Sequence, residues 1–342
     1  MKTVTSTDRA AAVDLLRKGD IVALPTETVY GLAGDALNPI AVAKIFEAKE
    51  RPRFDPLIVH LPTEEWLKRV ASIDYRSHTL IKNLVAQFWP GPLTIVLHRQ
   101  PIIPEIVTAG LDTVAVRMSS HPIFSEVARA FGKPLAAPSA NRFGHVSPTI
   151  AQHVHAELDG RIPLVIDAGP AEHGIESTIV AIHGGEIEVL RRGPVTAELL
   201  SEFGRLTTSV SAGKAAVPGQ LPSHYAPKTP LHLVDNAESF SPQKKHQRVG
   251  LLAWTWSGSF PVAVGRLEKR PSTRFAAVRR LSEREDLREA AANLFRYLRE
   301  LDALGLDLII AERVPSQGLG AAIMDRLQRA AHGYPHVPDT PE

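Results

Sequence analysis

The chain of 342 residues contains no cysteine. Disulfides, thiolate zinc sites, iron–sulfur clusters and cysteine nucleophiles are excluded by that absence alone. An excess of either charge is also missing. Lys plus Arg number 39 and Asp plus Glu 37, a formal net charge of +2, which argues against a protein built mainly to coat nucleic acid. Aromatic residues make up only 6%, too few for the interleaved stacking platforms of a single-strand binder. No stretch approaches the roughly 18 apolar residues of a membrane span. The N-terminus lacks the apolar run of a signal peptide, so the cytoplasm is the expected compartment. The phosphate-loop, H-E-x-x-H, G-x-S-x-G and kinase signatures are absent as well.

What is present is an ordinary globular composition, 44% hydrophobic and 22% charged, long enough for two domains of about 100–200 residues each. The first part alternates helix and strand patterns. Ser6, Thr7 or Asp8 can cap a first helix carrying Ala11, Leu15 and Leu16, which Gly19 ends. Short apolar runs at 21–24, 57–61, 93–98, 114–118 and 164–167 read as strands. Residues 39–49, 74–88 and 122–131 read as helices, and 147–158 as another, opened by Ser147, Pro148 and Thr149. Residues 178–182 and 186–190 flank His183-Gly184-Gly185 as a hairpin. The expected fold is therefore α/β, a twisted mixed sheet over residues 1–203.

From about residue 204 the pattern breaks into Ser, Thr, Gly, Ala and Pro, so 204–230 reads as a linker or as a loop with its own task. Strands at 231–234, 249–254 and 306–311 and helices at 283–301 and 318–331 predict a second, smaller, Rossmann-like α/β domain over 231–333. A frayed tail at 334–342 follows. Lys244, Lys245, His246 and Arg248 form a basic cluster that reads as a solvated loop. Gly318-Leu319-Gly320 lacks the third glycine of a dinucleotide fingerprint, where Ile323 stands, and reads as tight strand–helix packing. His153 and His155, two apart in a helix, face different ways and read as surface residues, not metal ligands.

Polar residues at strand ends are more informative, because ligands of α/β folds bind there. The segment Pro25 to Gly31 offers hydroxyls and backbone amides, which suit either a small polar substrate or a capped turn. Lys49 and Arg51 end a helix before Pro52; they suit a polyphosphate clamp or merely favour the helix dipole. Ser139 and Asn141 suit phosphate contacts or turn chemistry; Glu176-Ser177-Thr178 precedes a strand, and Arg191-Arg192-Gly193-Pro194 ends the hairpin.

Together the strings PTETVYGLAGDA, KIFEAKERP, DPLIVHL, WPGPLTIVL, VAVRMSSHP, PLAAPSAN, IDAGP, ESTIV and LRRGP resemble the YrdC-like threonylcarbamoyl-AMP synthase family in order and spacing over about residues 20–195. The HYAPK string at 224–228 and the second domain resemble the longer two-domain branch. The resemblance implies a nucleotidyltransferase that makes threonylcarbamoyl-AMP and pyrophosphate from L-threonine, bicarbonate and ATP with Mg2+. The product would serve N6-threonylcarbamoyladenosine formation at position 37 of tRNAs reading codons that start with A. By the same resemblance Thr28, His60, Arg117, Ala137 and Ser177 are expected at threonine. Arg51, Asp55, Thr113, Ser139, Ser147, Arg191 and Tyr225 are expected at ATP. Lys49, Arg51, Ser139 and Asn141 are expected to be catalytic, with the tyrosine-bearing linker as a lid. A separate threonylcarbamoyl transferase is the expected downstream partner, and weak binding of tRNA or double-stranded RNA is allowed. The sequence departs from the family at Asp55, where members often carry Asn or Lys, and at the additional Arg53. An aspartate facing phosphates repels them unless it holds a metal or a backbone amide; a main-chain contact survives the change, and a side-chain contact is left open. Two competing readings are a non-catalytic RNA-binding module and a hydrogenase-maturation carbamoyl transferase. The second resembles assemblies with Cys-rich zinc modules, which a cysteine-free chain cannot build.

Overall fold

A computed structural model describes residues 2–207, 217–218, 224–241, 248–255 and 275–332. Most of the expected linker, Lys244, Lys245 and His246 of the basic cluster, and the tail lie outside the described residues. The chain divides into two units, Met1–Phe143 with Ser147–Leu221, and Gly144–Val146 with Pro222–Glu342.

The first unit begins with β1 (Val4–Ser6), α1 (Arg9–Arg17), β2 (Val22–Leu24), β3 (Gly31–Asp35), α2 (Pro39–Lys49) and β4 (Ile58–His60). Next come α3 (Leu67–Val70), β5 (Ala71–Ser72), α4 (His78–Phe88), β6 (Leu93–Arg99), α5 (Glu105–Thr108), β7 (Thr113–Arg117), α6 (Pro122–Phe131) and β8 (Leu135–Ala136). It closes with α7 (Ala151–Leu158), β9 (Leu164–Ile166), β10 (Thr178–His183), β11 (Glu186–Arg191), α8 (Ala197–Ser201) and β12 (Leu206–Thr207). These strands form one mixed sheet in the order β1-β9-β2-β3-β8-β4-β7-β6-β10-β11-β12, with β5 pairing β6.

Alternation along β2 shows why both faces of this sheet are covered. Successive side chains of a strand point to opposite faces. Accordingly Ile21 and Ala23 join a core with Val42, Ile45 and Phe46 of α2, while Val22 and Leu24 join another with Leu16 of α1 and Phe124 and Val127 of α6. Each such side chain contributes about 1.5–3 kcal/mol when fully buried. Local chemistry fixes the helix ends. The Asp8 carboxylate accepts from the amides of Ala10 and Ala11 at α1, and Asn38 does the same for Ile40 and Ala41 at α2. Glu50, at φ 53°, turns the chain out of α2.

Two expectations are corrected. Ser147 does not open α7. Its hydroxyl donates to the Glu176 carboxylate, and the helix starts at Ala151 without a side-chain cap. A buried carboxylate holds that hydroxyl more strongly than an orphan helix amide does. The segment after Tyr30, for which no strand was expected, forms β3. Its Gly and Ala residues have poor strand propensity, but all five are buried and pair with β2 and β8, so tertiary pairing decides.

The second unit holds β13 (Leu231–Val234), β14 (Val249–Ala253), β15 (Ala277–Arg280), α9 (Leu287–Asp302), β16 (Leu308–Glu312) and α10 (Leu319–Ala331). Its four strands are all parallel, in the order β13-β16-β14-β15. Asp286 caps α9, whose Ala290, Leu294, Leu298 and Leu301 make one buried stripe. The close of β16 is charged and wholly buried. Glu312 accepts from the amide of Ala237 after β13 and from those of Trp254 and Thr255 after β14, at 2.7–2.9 Å. Gly320 is required where it stands, since an added Cβ would lie 1.8 Å from the Pro315 carbonyl oxygen. Gly144–Val146 joins this unit through the Ala226 amide, which donates to the Gly144 carbonyl at 3.1 Å, and through Arg299, which donates to the Val146 carbonyl.

Candidate active site

The first unit gathers its buried charges at the ends of β2, α2, β4, β7 and β10. The parallel pair β4 and β7 places His60 directly beside Arg117. The turn after β2 brings Thr26, Glu27 and Thr28 to the same place. Thr26 organises that turn, its hydroxyl accepting from the amides of Thr28 and Val29 and donating to the Val29 carbonyl at 2.6 Å. Arg117 donates through Nη1 to the Thr28 hydroxyl at 3.3 Å and through Nη2 to the Glu27 carboxylate. The second Glu27 oxygen accepts from Ser119. Burial, and next the positive charge of Arg117, push the His60 imidazole well below its ordinary proton affinity, against the Ile58 backbone. His60 is therefore a neutral ring, packed 4.9 Å from the ring centre of Phe124.

A second cluster surrounds the end of α2. Lys49 is 1% exposed and donates to the carbonyls of Ser139 and Asn141, both at 2.6 Å. Burial first, then repulsion from Arg51, lowers its proton affinity well below the usual range, with Asp55 and Glu157 opposing. Arg51 donates to the carbonyls of Asp55 and Pro56 and stands 2.8 Å from the Asp55 carboxylate. That approach is an ion pair outside hydrogen-bond geometry, because neither Asp55 oxygen meets a donor in line. Burial raises the Asp55 pKa, and Arg51, Lys49 and Arg191 oppose the rise. One carboxylate thus lies within the field of three cations.

The third cluster joins β6, β10 and β11. Ser177 and Thr94 share a hydroxyl hydrogen bond of 2.8 Å. Arg191 donates to the Ser177 hydroxyl and carbonyl at 3.0 Å each and to the Pro218 carbonyl at 3.2 Å. Gly193 allows this crossing, because a Cβ there would come within 2.5 Å of the Thr178 amide nitrogen.

The structure thus brings Thr28 to Arg117 and His60, Lys49 to Ser139 and Asn141, and Ser177 to Arg191. The Ala137 amide donates to the Ile58 carbonyl, so that N–H belongs to the sheet. Thr113 opens β7, four residues from Arg117, hence roughly 13 Å along the strand. Ser147 is spent on Glu176. Tyr225 lies in the second unit, buried at φ 61°, stacked on Phe295 at 5.4 Å with the Arg326 guanidinium 5.5 Å from its ring. Sequence reasoning missed Glu27, Thr94, Ser119 and Glu176 as members of these clusters. Each stood inside a quoted string, Glu27 in PTETVYGLAGDA, Thr94 in WPGPLTIVL, Ser119 in VAVRMSSHP and Glu176 in ESTIV, but none was given a role there. Among the described residues, no group of three or more His, Asp or Glu side chains is placed to hold a metal ion. Among the described residues, no helix is long and apolar enough to cross a membrane.

Chemically, the arrangement offers fixed cations for anionic groups, a neutral imidazole and several hydroxyls. Such a site can align and charge-balance two anionic reactants without a protein nucleophile.

Comparison with known proteins agrees in extent and order. Residues 14–193 match the family described as telomere recombination, and residues 189–332 match that described as threonylcarbamoyl-AMP synthase, C-terminal domain. The threonylcarbamoyl-AMP synthase of Bacillus subtilis (strain 168) is 39% identical, covering 95% of this chain and 93% of the relative. That of Pyrococcus abyssi (strain GE5 / Orsay) is 38% identical, covering 94% and 93%. Among solved structures, P. abyssi Sua5 complexed with L-threonine superposes with a TM-score of 0.80 at 34% identity, covering 96% of this chain and 97% of the other.

Proposed function

The chain belongs to the threonylcarbamoyl-AMP synthase family in its two-domain form, and from that premise we propose that it condenses L-threonine, bicarbonate and ATP into threonylcarbamoyl-AMP and pyrophosphate. The observation that carries this reading onto the chain itself is the pairing of two kinds of buried cation within one unit. Arg117 is braced beside a neutral imidazole, and Lys49, Arg51 and Arg191 share one field. The first suits an amino-acid carboxylate, the second a polyphosphate.

The reaction balances without a protein nucleophile. The threonine amine, having lost a proton, bonds to the carbon of carbon dioxide or bicarbonate to give a carbamate; from bicarbonate, hydroxide leaves as water. A carbamate oxygen then bonds to the α-phosphorus of ATP as the bond to pyrophosphate breaks. Arg117, with Thr28, His60, Ser177 and the main chain at Ala137, orients threonine. Arg51, Ser139, Ser147, Thr113 and Arg191 are assigned to ATP, and Asp55 through its main chain. Lys49 keeps the Ser139 and Asn141 turn in place. Magnesium bound to the phosphates supplies further neutralisation of their charge. The product is consumed by a transferase acting on adenosine 37 of tRNAs that read codons starting with A, and the reaction belongs in the cytoplasm.

The test is pyrophosphate release with ATP and magnesium, omitting threonine or bicarbonate in turn. Release that needs both is expected, and Lys49→Ala and Arg51→Ala are each expected to lower kcat/KM by about a hundredfold or more. Release indifferent to threonine overturns the reading.

A further inference from the structure

We infer that Glu27 is a positioning residue for the amino-acid carboxylate: it holds the Arg117 guanidinium in the one orientation that leaves its Nε–H for an incoming ligand. The inference rests on the threonine site proposed above.

The geometry is over-determined around Glu27 and incomplete around Arg117. Glu27, Thr28, Arg117 and Ser119 are all at most 3% exposed. A guanidinium carries five N–H donors in a rigid planar fork, so fixing two of its nitrogens fixes the direction of the third. Here Nη2 is fixed by Glu27 and Nη1 by Thr28. Nε, buried, has no partner among the described residues. Glu27 in turn cannot swing away. Its other oxygen accepts from Ser119, whose hydroxyl also receives the His121 amide at 3.2 Å and whose carbonyl receives the Ser125 hydroxyl at 2.8 Å. The Glu27 carbonyl is held separately by the His173 amide at 2.8 Å. A chain that needed only to neutralise Arg117 had no use for bracing its counter-ion at two further points, one of them itself braced. Bracing is useful when the arginine must present a fixed edge to something that comes and goes. The ligand group proposed is a carboxylate, the partner to which a guanidinium donor bonds most strongly.

Glu27→Gln keeps the shape and loses the charge. With ATP saturating, the KM for L-threonine is expected to rise about tenfold or more while kcat changes little and the KM for ATP stays put. A loss of fold alone cannot produce that split. The sharper readout compares calorimetric binding of L-threonine with that of L-threoninamide, which lacks the carboxylate charge. The wild type should strongly prefer the acid, and Glu27→Gln should narrow the preference. Ser119→Ala, which removes one brace and leaves the ion pair, should narrow it partly and serves if Glu27→Gln fails to fold. An unchanged acid-to-amide preference in either folded variant, or equal losses for threonine and ATP, overturns the inference. A wild type that binds neither compound while still binding ATP overturns the threonine site itself, and the inference with it.

Discussion

At Asp55 a single carboxylate is set against Arg51, Lys49 and Arg191 in a buried space. Its raised pKa means that the folded chain holds this proton more tightly than the unfolded chain does. The cost of ionising it is therefore absent below the ordinary aspartate value of about 3.9 and grows as pH rises through the raised one. Asp55→Asn is expected to raise the Tm at neutral pH, with the difference from wild type vanishing towards pH 3. It also removes a negative charge beside Arg51, so the KM for ATP should fall by about threefold. A thermal-shift series across pH and a KM titration check the two effects. The sequence marked Asp55 as a departure, and it placed Thr28, His60 and Arg117 by their strings. It gave Ser119, Thr94 and Glu176 no role, although its strings contain them, because each becomes part of the site only through partners 29–92 positions away. No local pattern encodes such a pairing.

The elements that were legible are those whose ends are written in local chemistry. α2 and α6 run over the residues expected of them, each with proline in its first turn and a left-handed residue, Glu50 or Gly132, at its close. The short strands β1, β3, β5, β12 and β15 were not read, because pairing in the sheet creates them and their own residues do not. In the second unit the close of β16 and the start of α10 meet at Gly320, where the side chain is excluded by the Pro315 carbonyl. Gly320→Ala, normally a gain in a helix, should instead cost about 2 kcal/mol or more, since backbone must move. Denaturant unfolding of the second unit, followed through Trp254, checks it. A neutral or stabilising result would mean that the Pro315 turn yields freely.

For the molecule as a whole, the unit boundary is not one cut. Gly144–Val146 is held by Ala226 and Arg299 within the second unit, although both flanking segments belong to the first. Three residues in a row carry no compositional mark, so a linear reading passes over them. Glu312 bears on the whole protein in a different way. The carboxyl ends of parallel strands are where α/β sheets ordinarily receive an anion, and the loops there offer it their amides. In this unit those amides already hold the chain's own carboxylate. Those three amides are open to an outside anion only if Glu312 moves. Titrated with a non-hydrolysable ATP analogue, the protein should bind one equivalent per chain, and a binding isotherm with two would show that Glu312 can be displaced.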